Sequence, residues 1–344
     1  MCIRDSLHDD TLQEYIELHR LAVRLAIPCI TSLDTANAMA DTLISRYTVN
    51  TTELVDLNNM RAEHQRLKFS KMQGCGSDYI FFDNRGGEIT SPESLCVSIC
   101  DRHYGIGGYG IVLMENSQVA DAKMRIFNRD GTEGKMAGNS IRCVAKYLYD
   151  NDIVKKDEMT IEVASGDIRK LKLYIRNGKV TTVSVDMGKA DMRAKSLPTT
   201  IDEEKIINYP LNIGGTEYEI TCTTLSNPHC VVFCDNVDSV NLEKIGPKFE
   251  NAPYFPERIN TEFVRVVNQD TLKMRVYERG NGETWACGTG ACAAVVATTE
   301  NGFCEKGRDI TVKLIGGDLT VNYTDERVLL TGDAVLVYEG VVEY

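Results

Sequence analysis

An α+β fold of two pseudo-symmetric halves, each with strands wrapped around a central helix, is what this 344-residue sequence predicts. Three observations carry the prediction: an internal repeat, a helix that is apolar on every side, and short strand patterns elsewhere. In the repeat, residues 124–138 read MRIFNRDGTEGKMAG and residues 274–288 read MRVYERGNGETWACG. Laid over each other without a gap, at an offset of 150, they share Met, Arg, a second Arg, Glu and the last Gly. Ile126/Val276 and Phe127/Tyr277 add two like-for-like apolar pairs. Each copy opens as a short strand, passes a polar Gly-rich turn and enters a helical pattern, as duplicated halves facing across a pseudo-twofold axis would.

The two helices differ. After Gly138, the apolar residues Ile141, Val144, Ala145 and Leu148 recur at helical spacing and mark one buried face. After Gly288 the run ACAAVVA is apolar all round, which predicts an almost wholly enclosed helix. Strands are expected at 79–83, 110–114, 230–233, 310–314 and 335–339, and further helices near 92–101 and 239–248.

Composition bounds the function. With 43% hydrophobic and 26% charged residues, the chain can bury a sizeable core. A formal charge of −12 argues against nucleic acid or an anionic membrane as partner, but leaves room for a local pocket taking a small acidic metabolite. No run of 18 apolar residues exists and the start MCIRDSLHDD is too polar for a signal peptide, so a cytoplasmic protein is expected. The 12 cysteines include no C-x-x-C pair, so neither a metal site nor a disulfide framework is expected. Cys143, Cys222, Cys230 and Cys292 lie in apolar stretches and read as small core residues. Gly105, Gly107 and Gly110 formally spell G-x-G-x-x-G, but a strand-like IVLM follows where a dinucleotide site needs a helix. His103 and His229, single histidines in loops, are ranked as structural.

The chemistry concentrates at the two helix starts. Unpaired N–H groups and a partial positive charge make a helix N-terminus a carboxylate site. Gly138-Asn139 and Gly288-Thr289 are the first turns of two such helices. Cys287, just before one of them, is the candidate acid–base thiol, because the same field stabilises its thiolate.

At this point the residues resemble a known family. KMQGCGSDYIFFD, RHYGIGGYG, MRIFNRDGTEGKMAGNSIRCVAKYLYD, SNPHCVVF, FPERINTEFV, MRVYERGNGETWACGTGACAAVVA and VKLIGGDLTV are similar, in that order and from about residue 66 onward, to diaminopimelate epimerases. The resemblance implies an enzyme that interconverts LL- and meso-2,6-diaminopimelate for lysine and peptidoglycan synthesis. It also implies no cofactor, neither pyridoxal phosphate nor metal. One thiolate takes the Cα proton from one face and a thiol on the other face returns one. Carried over by position, Cys287 is one catalytic cysteine. Gly138, Asn139, Gly288 and Thr289 cradle the α-carboxylate. Asn128, Asn227, Asn260, Glu278 and Arg279 read the far amino-acid end, and a homodimer is expected.

Three departures accompany the match. Ala137 stands where the second catalytic cysteine is expected, and the internal repeat independently pairs it with Cys287. Alanine neither gives nor takes a proton. Three accounts are open: a knock-out of the usual thiol, a substitute donor (Ser140, Cys75 or water), or a protein that binds the ligand without turning it over. Ser77 replaces a substrate-contacting asparagine with a shorter hydroxyl, and Tyr109 replaces an acidic residue in its turn. The expected organisation is an appendage at 1–64, a first half at 65–188 and a second at 189–344. Residues 8–60 resemble the C-terminal end of the carbamoyl-phosphate synthase large subunit, as a helix, a strand at Pro28–Thr31 and a helix. That fragment is too small to cover both faces of a strand, which favours a fusion of unrelated sequence, with MCIRDS foreign to both.

Overall fold

A computed structural model of the chain describes residues 65–134 and 138–344 and, nearer the start, only 17, 18, 20, 21, 24 and 25. The expected strand at Pro28–Thr31 and the whole expected helix–strand–helix appendage, apart from those six residues, lie outside the described residues. So does Ala137. By its contacts the chain divides into two units, Met1–His64 and Gln65–Tyr344.

The second unit is built twice over. Its first run of elements is β1 (Arg66–Gly74), β2 (Ser77–Asp83), α1 (Pro92–Ile99), β3 (Gly110–Glu115), β4 (Ala122–Asn128), β5 (Glu133–Gly134), α2 (Gly138–Asp150), β6 (Glu158–Glu162), β7 (Ile168–Arg176) and β8 (Lys179–Asp186). After β9 (Tyr209–Ile213) the run repeats as β10 (Thr216–Thr224), β11 (Pro228–Phe233), α3 (Leu242–Glu250), β12 (Asn260–Asn268), β13 (Thr271–Glu278), β14 (Gly282–Thr284), α4 (Gly288–Glu300), β15 (Asp309–Leu314), β16 (Gly317–Tyr323) and β17 (Val328–Asp333). Each strand predicted after residue 65 appears within a few residues of its expected place, the one at 335–339 opening the last strand of the unit.

Pairing repeats with the same directions. The parallel pairs β2–β3 and β4–β6 have counterparts in β11–β12 and β13–β15, and the remaining neighbours in both runs are antiparallel. The runs join edge to edge where β8 meets β17, antiparallel from Leu329/Asp186 to Asp333/Thr182. The last strand, β18 (Val335–Glu343), returns to pair with β1. The helices α2 and α4 begin 150 residues apart, the offset of the sequence repeat.

These two helices are the cores around which the strands curl. In α4 every residue from Gly288 to Thr299 except Thr289 is buried, as its all-round apolar sequence predicts. In α2 burial goes beyond the one predicted face. Gly138 to Ala145 are all buried, including Ser140 and Arg142, because sheet lies on the side a surface helix would leave wet. Arg142 is fully buried. Its Nη1 donates to the Gly138 carbonyl at 3.0 Å and its Nε to that of Asp333 at 3.0 Å, tying the start of α2 to the end of β17. Burial pulls the guanidinium below its ordinary value. A charge so placed holds its geometry strictly, since breaking either bond leaves it unpaired in the core. The helices α1 and α3 close two smaller cores, around Leu95/Phe127 and Phe249/Phe263. Cys143, Cys222, Cys230 and Cys292 are core residues, each no more than 1% exposed.

The glycines of RHYGIGGYG serve close packing. A Cβ on Gly110 would run into the Phe127 carbonyl oxygen, and Gly110 opens a strand, not a helix. No helix among the described residues is long and apolar enough to cross a membrane.

Candidate active site

The two helix starts meet. A Cβ built on Gly288 would lie 3.7 Å from the Gly138 Cα and 3.6 Å from Asn139 Oδ1, so glycine at both positions permits the approach. Asn139 is buried, with its Nδ2 3.5 Å from the Ala286 carbonyl. Its Oδ1 has no partner among the described residues.

Cys287 is the N-cap of α4, with extended backbone at φ −120° and ψ 114°. Its Sγ accepts the Gly290 N–H at 3.3 Å and lies 3.5 Å from Thr289 Oγ1. The Glu278 carboxyl lies near enough for its charge to act on the same thiol. Burial, then the charges of Glu278 and Glu262, push the thiol well above its ordinary value, against the Thr289 hydroxyl and the Gly290 N–H. The sequence predicts a thiolate favoured by the helix start. That donor is present, but loss of solvent outweighs it, so the resting sulfur keeps its proton. Burial likewise raises Glu278, against the hydrogen bond from Thr284. A carboxyl and a thiol, both shifted upward and near one another, are a pair suited to acid–base work.

Beside this pair opens a cavity of about 480 Å³, lined among others by Ser77, Tyr79, Asn128, Glu278, Thr284 and Trp285. Two predicted residues, Ser77 and Asn128, thus face it from the first half, and Glu278 from the second. Asn128 is anchored by Nδ2 on Thr132 Oγ1 at 3.1 Å. Asn260 and Arg279 sit together in another way. Asn260 spends its amide on backbone, donating to the Pro228 carbonyl at 2.9 Å and accepting the Arg279 N–H at 2.9 Å. The Arg279 guanidinium donates to the Glu257 carbonyl at 3.0 Å. Asn227 follows Ser226, whose φ of +88° is rare for a side-chain-bearing residue, and turns its amide to Thr289 Oγ1 at 3.2 Å.

The remaining predicted features take definite places. Cys75 and Gly76, at φ 54° and 78°, form the two-residue turn between β1 and β2. The Cys75 N–H donates to Asp333 Oδ1 at 2.9 Å, and burial pushes its thiol up to about 11. Tyr109 lies under the Arg102 guanidinium at 5.5 Å, and its N–H donates to the Asp78 carbonyl at 2.9 Å, so ring contact and backbone hold that turn. His103 is exposed. His229 is fully buried and bonded to Glu262, a residue for which the sequence reading had no role. The signal was there: an acidic residue inside the strand N-T-E-F-V, where one would expect only apolar side chains.

Known proteins resemble the chain in sequence and in fold. The family model described as Diaminopimelate epimerase matches residues 69–193 and 221–337. The diaminopimelate epimerase of Acetivibrio thermocellus is 47% identical over 279 residues, 80% of this chain and 99% of that protein. That of Methanococcus maripaludis is 45% identical over 279 residues, 80% of this chain and 100% of its own. Among solved structures, a hydroxyproline epimerase from Agrobacterium vitis with bound trans-4-hydroxy-L-proline superposes with TM-score 0.61 at 14% identity, covering 81% of this chain and 92% of that one. A PhzF-family phenazine biosynthesis protein from Bacillus anthracis gives TM-score 0.60 at 16% identity, covering 81% and 100%. At these identities the two structures speak for the fold alone.

Proposed function

This chain belongs to the diaminopimelate epimerase family, and we propose that it epimerises LL-2,6-diaminopimelate to the meso form by thiol acid–base chemistry. The observation that carries this reading is the meeting of two helix starts with a buried thiol at one of them. N–H groups of Gly138, Asn139, Gly288 and Thr289 receive the α-carboxylate and stabilise the charge that develops there once the Cα proton leaves. Cys287 takes that proton after handing its own to Glu278. Ser77 and Asn128, on the far wall of the cavity, together with Asn227, Asn260 and Arg279, shape the pocket for the distal amino-acid end. Ala137 supplies no proton, which makes return of a proton from the opposite face the slow step. The family's dimeric habit and a cytoplasmic setting belong to the same proposal.

Proton exchange at Cα in deuterated water tests it. The chain as it stands is expected to exchange the Cα hydrogen of diaminopimelate, and Cys287→Ser to slow exchange by about 10²–10⁴-fold, the weight of one positioned proton-transfer group. Exchange that survives Cys287→Ser would remove the thiol from the mechanism. Exchange with no inversion at all would make the protein a binder of the ligand.

The matched region starts at Phe69, and Gln65–Tyr344 forms its own unit. Deleting residues 1–64 is therefore expected to leave the unfolding midpoint and diaminopimelate binding unchanged, by thermal melting and calorimetry. Loss of folding after the deletion would contradict this.

A further inference from the structure

Behind Cys287 runs a chain of side chains whose buried end, His229 and Glu262, the mechanism above does not use. His229 on β11 and Glu262 on β12 lie on the same face of a parallel pair, through the register His229/Asn260 and Val231/Glu262. Both are fully buried, with Nδ1 of the ring 2.7 Å from Glu262 Oε1. On its other side the ring meets Asn227 Oδ1 at 3.1 Å through Nε2. The Asn227 amide donates to Thr289 Oγ1 at 3.2 Å, and Thr289 Oγ1 stands 3.5 Å from the Cys287 sulfur.

The direction of each link is fixed by which atoms carry hydrogens. An amide oxygen has none, so His229 Nε2 carries the proton between it and Asn227. Thr289 Oγ1 already accepts from Asn227, so its single hydroxyl proton is free to point at Cys287 Sγ. Every donor from the ring onward faces the sulfur. What keeps Nε2 protonated is decided at the opposite nitrogen. Glu262 Oε1 sits at Nδ1 at a distance that places a proton between them, in addition to the one on Nε2 that faces an amide oxygen. Without the carboxyl, a neutral imidazole has one proton for two positions. When that proton moves to Nδ1 the Asn227 amide must turn over, Thr289 donates to Asn227, and the sulfur loses a donor.

The packing places Glu262 just as tightly at the other donor to the sulfur. A Cβ on Gly290 would lie 2.7 Å from Glu262 Oε1 and 3.3 Å from Cys287 Sγ, so the carboxyl seats against the residue whose N–H binds the thiol.

We infer that Glu262 is a positioning residue for Cys287, acting through His229, Asn227 and Thr289 to keep every donor of the chain aimed at the sulfur. The inference rests on the thiol chemistry proposed above, and deepens it. Its role is felt when the thiol becomes a thiolate, since hydrogen bonds to an ionised acceptor are the strong ones.

Two readouts on the full chain test it. The first is the ¹⁵N spectrum of the His229 ring, assigned by its loss in His229→Asn. Nε2 is expected to be of the protonated type in the unaltered chain and to shift toward the bare type in Glu262→Gln. Glu262→Asp should keep the protonated type. The second is Cα proton exchange in the Ala137→Cys background. There Glu262→Gln is expected to lower kcat about tenfold, what one charge-assisted hydrogen bond is worth, with KM unchanged. Glu262→Asp should recover most of the loss. A bare Nε2 in the unaltered chain overturns the inference without any variant. So does an unshifted Nε2 in Glu262→Gln, or an equal loss of kcat in the Gln and Asp variants. If Ala137→Cys itself is inactive, the thiol mechanism fails, while the ring spectrum still judges the role of Glu262.

Discussion

Replacing Ala137 by cysteine is expected to raise stereochemical inversion at Cα by about 10²–10⁴-fold, the contribution of one positioned proton-transfer group. The reason is geometric. Position 137 precedes Gly138 as Cys287 precedes Gly288, in halves related by the same strand pairings, and the two glycines touch. By the internal repeat, a thiol at 137 is expected opposite Cys287 across the reacting carbon. Conversion of the LL to the meso isomer, followed by chiral chromatography, reads the gain. Deuterium incorporation read in parallel separates the steps. Exchange by the unaltered chain should exceed its inversion, and in Ala137→Cys the two rates should converge. An unchanged inversion rate in a folded Ala137→Cys chain would mean that position 137 does not face the substrate, and the two-sided mechanism would fall.

Gly288→Val is expected to do the most damage for its size. Even the first carbon of a side chain there would stand 3.0 Å from Leu330 Cδ2 and 3.7 Å from the Gly138 Cα. Neither neighbour yields easily: Leu330 is fully buried in β17, and Gly138 is main chain at the start of α2. Overpacking of this kind costs about 1–3 kcal/mol of stability. More telling is the functional loss, because separating the helix starts pulls apart the N–H groups that together receive one carboxylate. The expected result is a lowered melting temperature together with loss of detectable diaminopimelate binding by calorimetry. Gly86→Ala is the matched control, since its new carbon would meet nothing closer than Glu88 Oε1 at 3.6 Å. If Gly288→Val binds the ligand as well as that control does, the paired helix starts are not the carboxylate site.

The sequence alone determined the architecture at the level of halves. Gly138 and Gly288, with the strand-turn-helix runs before them, recur at a fixed offset, and the backbone repeats wherever the local pattern does, because periodicity and turn chemistry are local properties. Cys287 was legible for the same reason, since a Cys-Gly-Thr step opening an apolar helix fixes both the cap and the thiol. Only the tertiary structure decided which polar groups share a face. Asn260 and Arg279, expected together at the substrate's distal end, are joined to each other by a bond from the Arg279 N–H to the Asn260 amide oxygen, a link no spacing announces. Glu278, expected there too, lines the cavity with Ser77 and Asn128, and its charge also acts on the Cys287 thiol. His229 and Glu262 are 33 residues apart, and nothing in either segment announces that a parallel pair sets them 2.7 Å from each other. Burial was the other hidden quantity. A helix start predicts a stabilised thiolate, but the protonation of Cys287 answers to the total solvent lost and to carboxylates brought in by two separate strands. Those are sums over contacts between distant segments, and no window of sequence contains them.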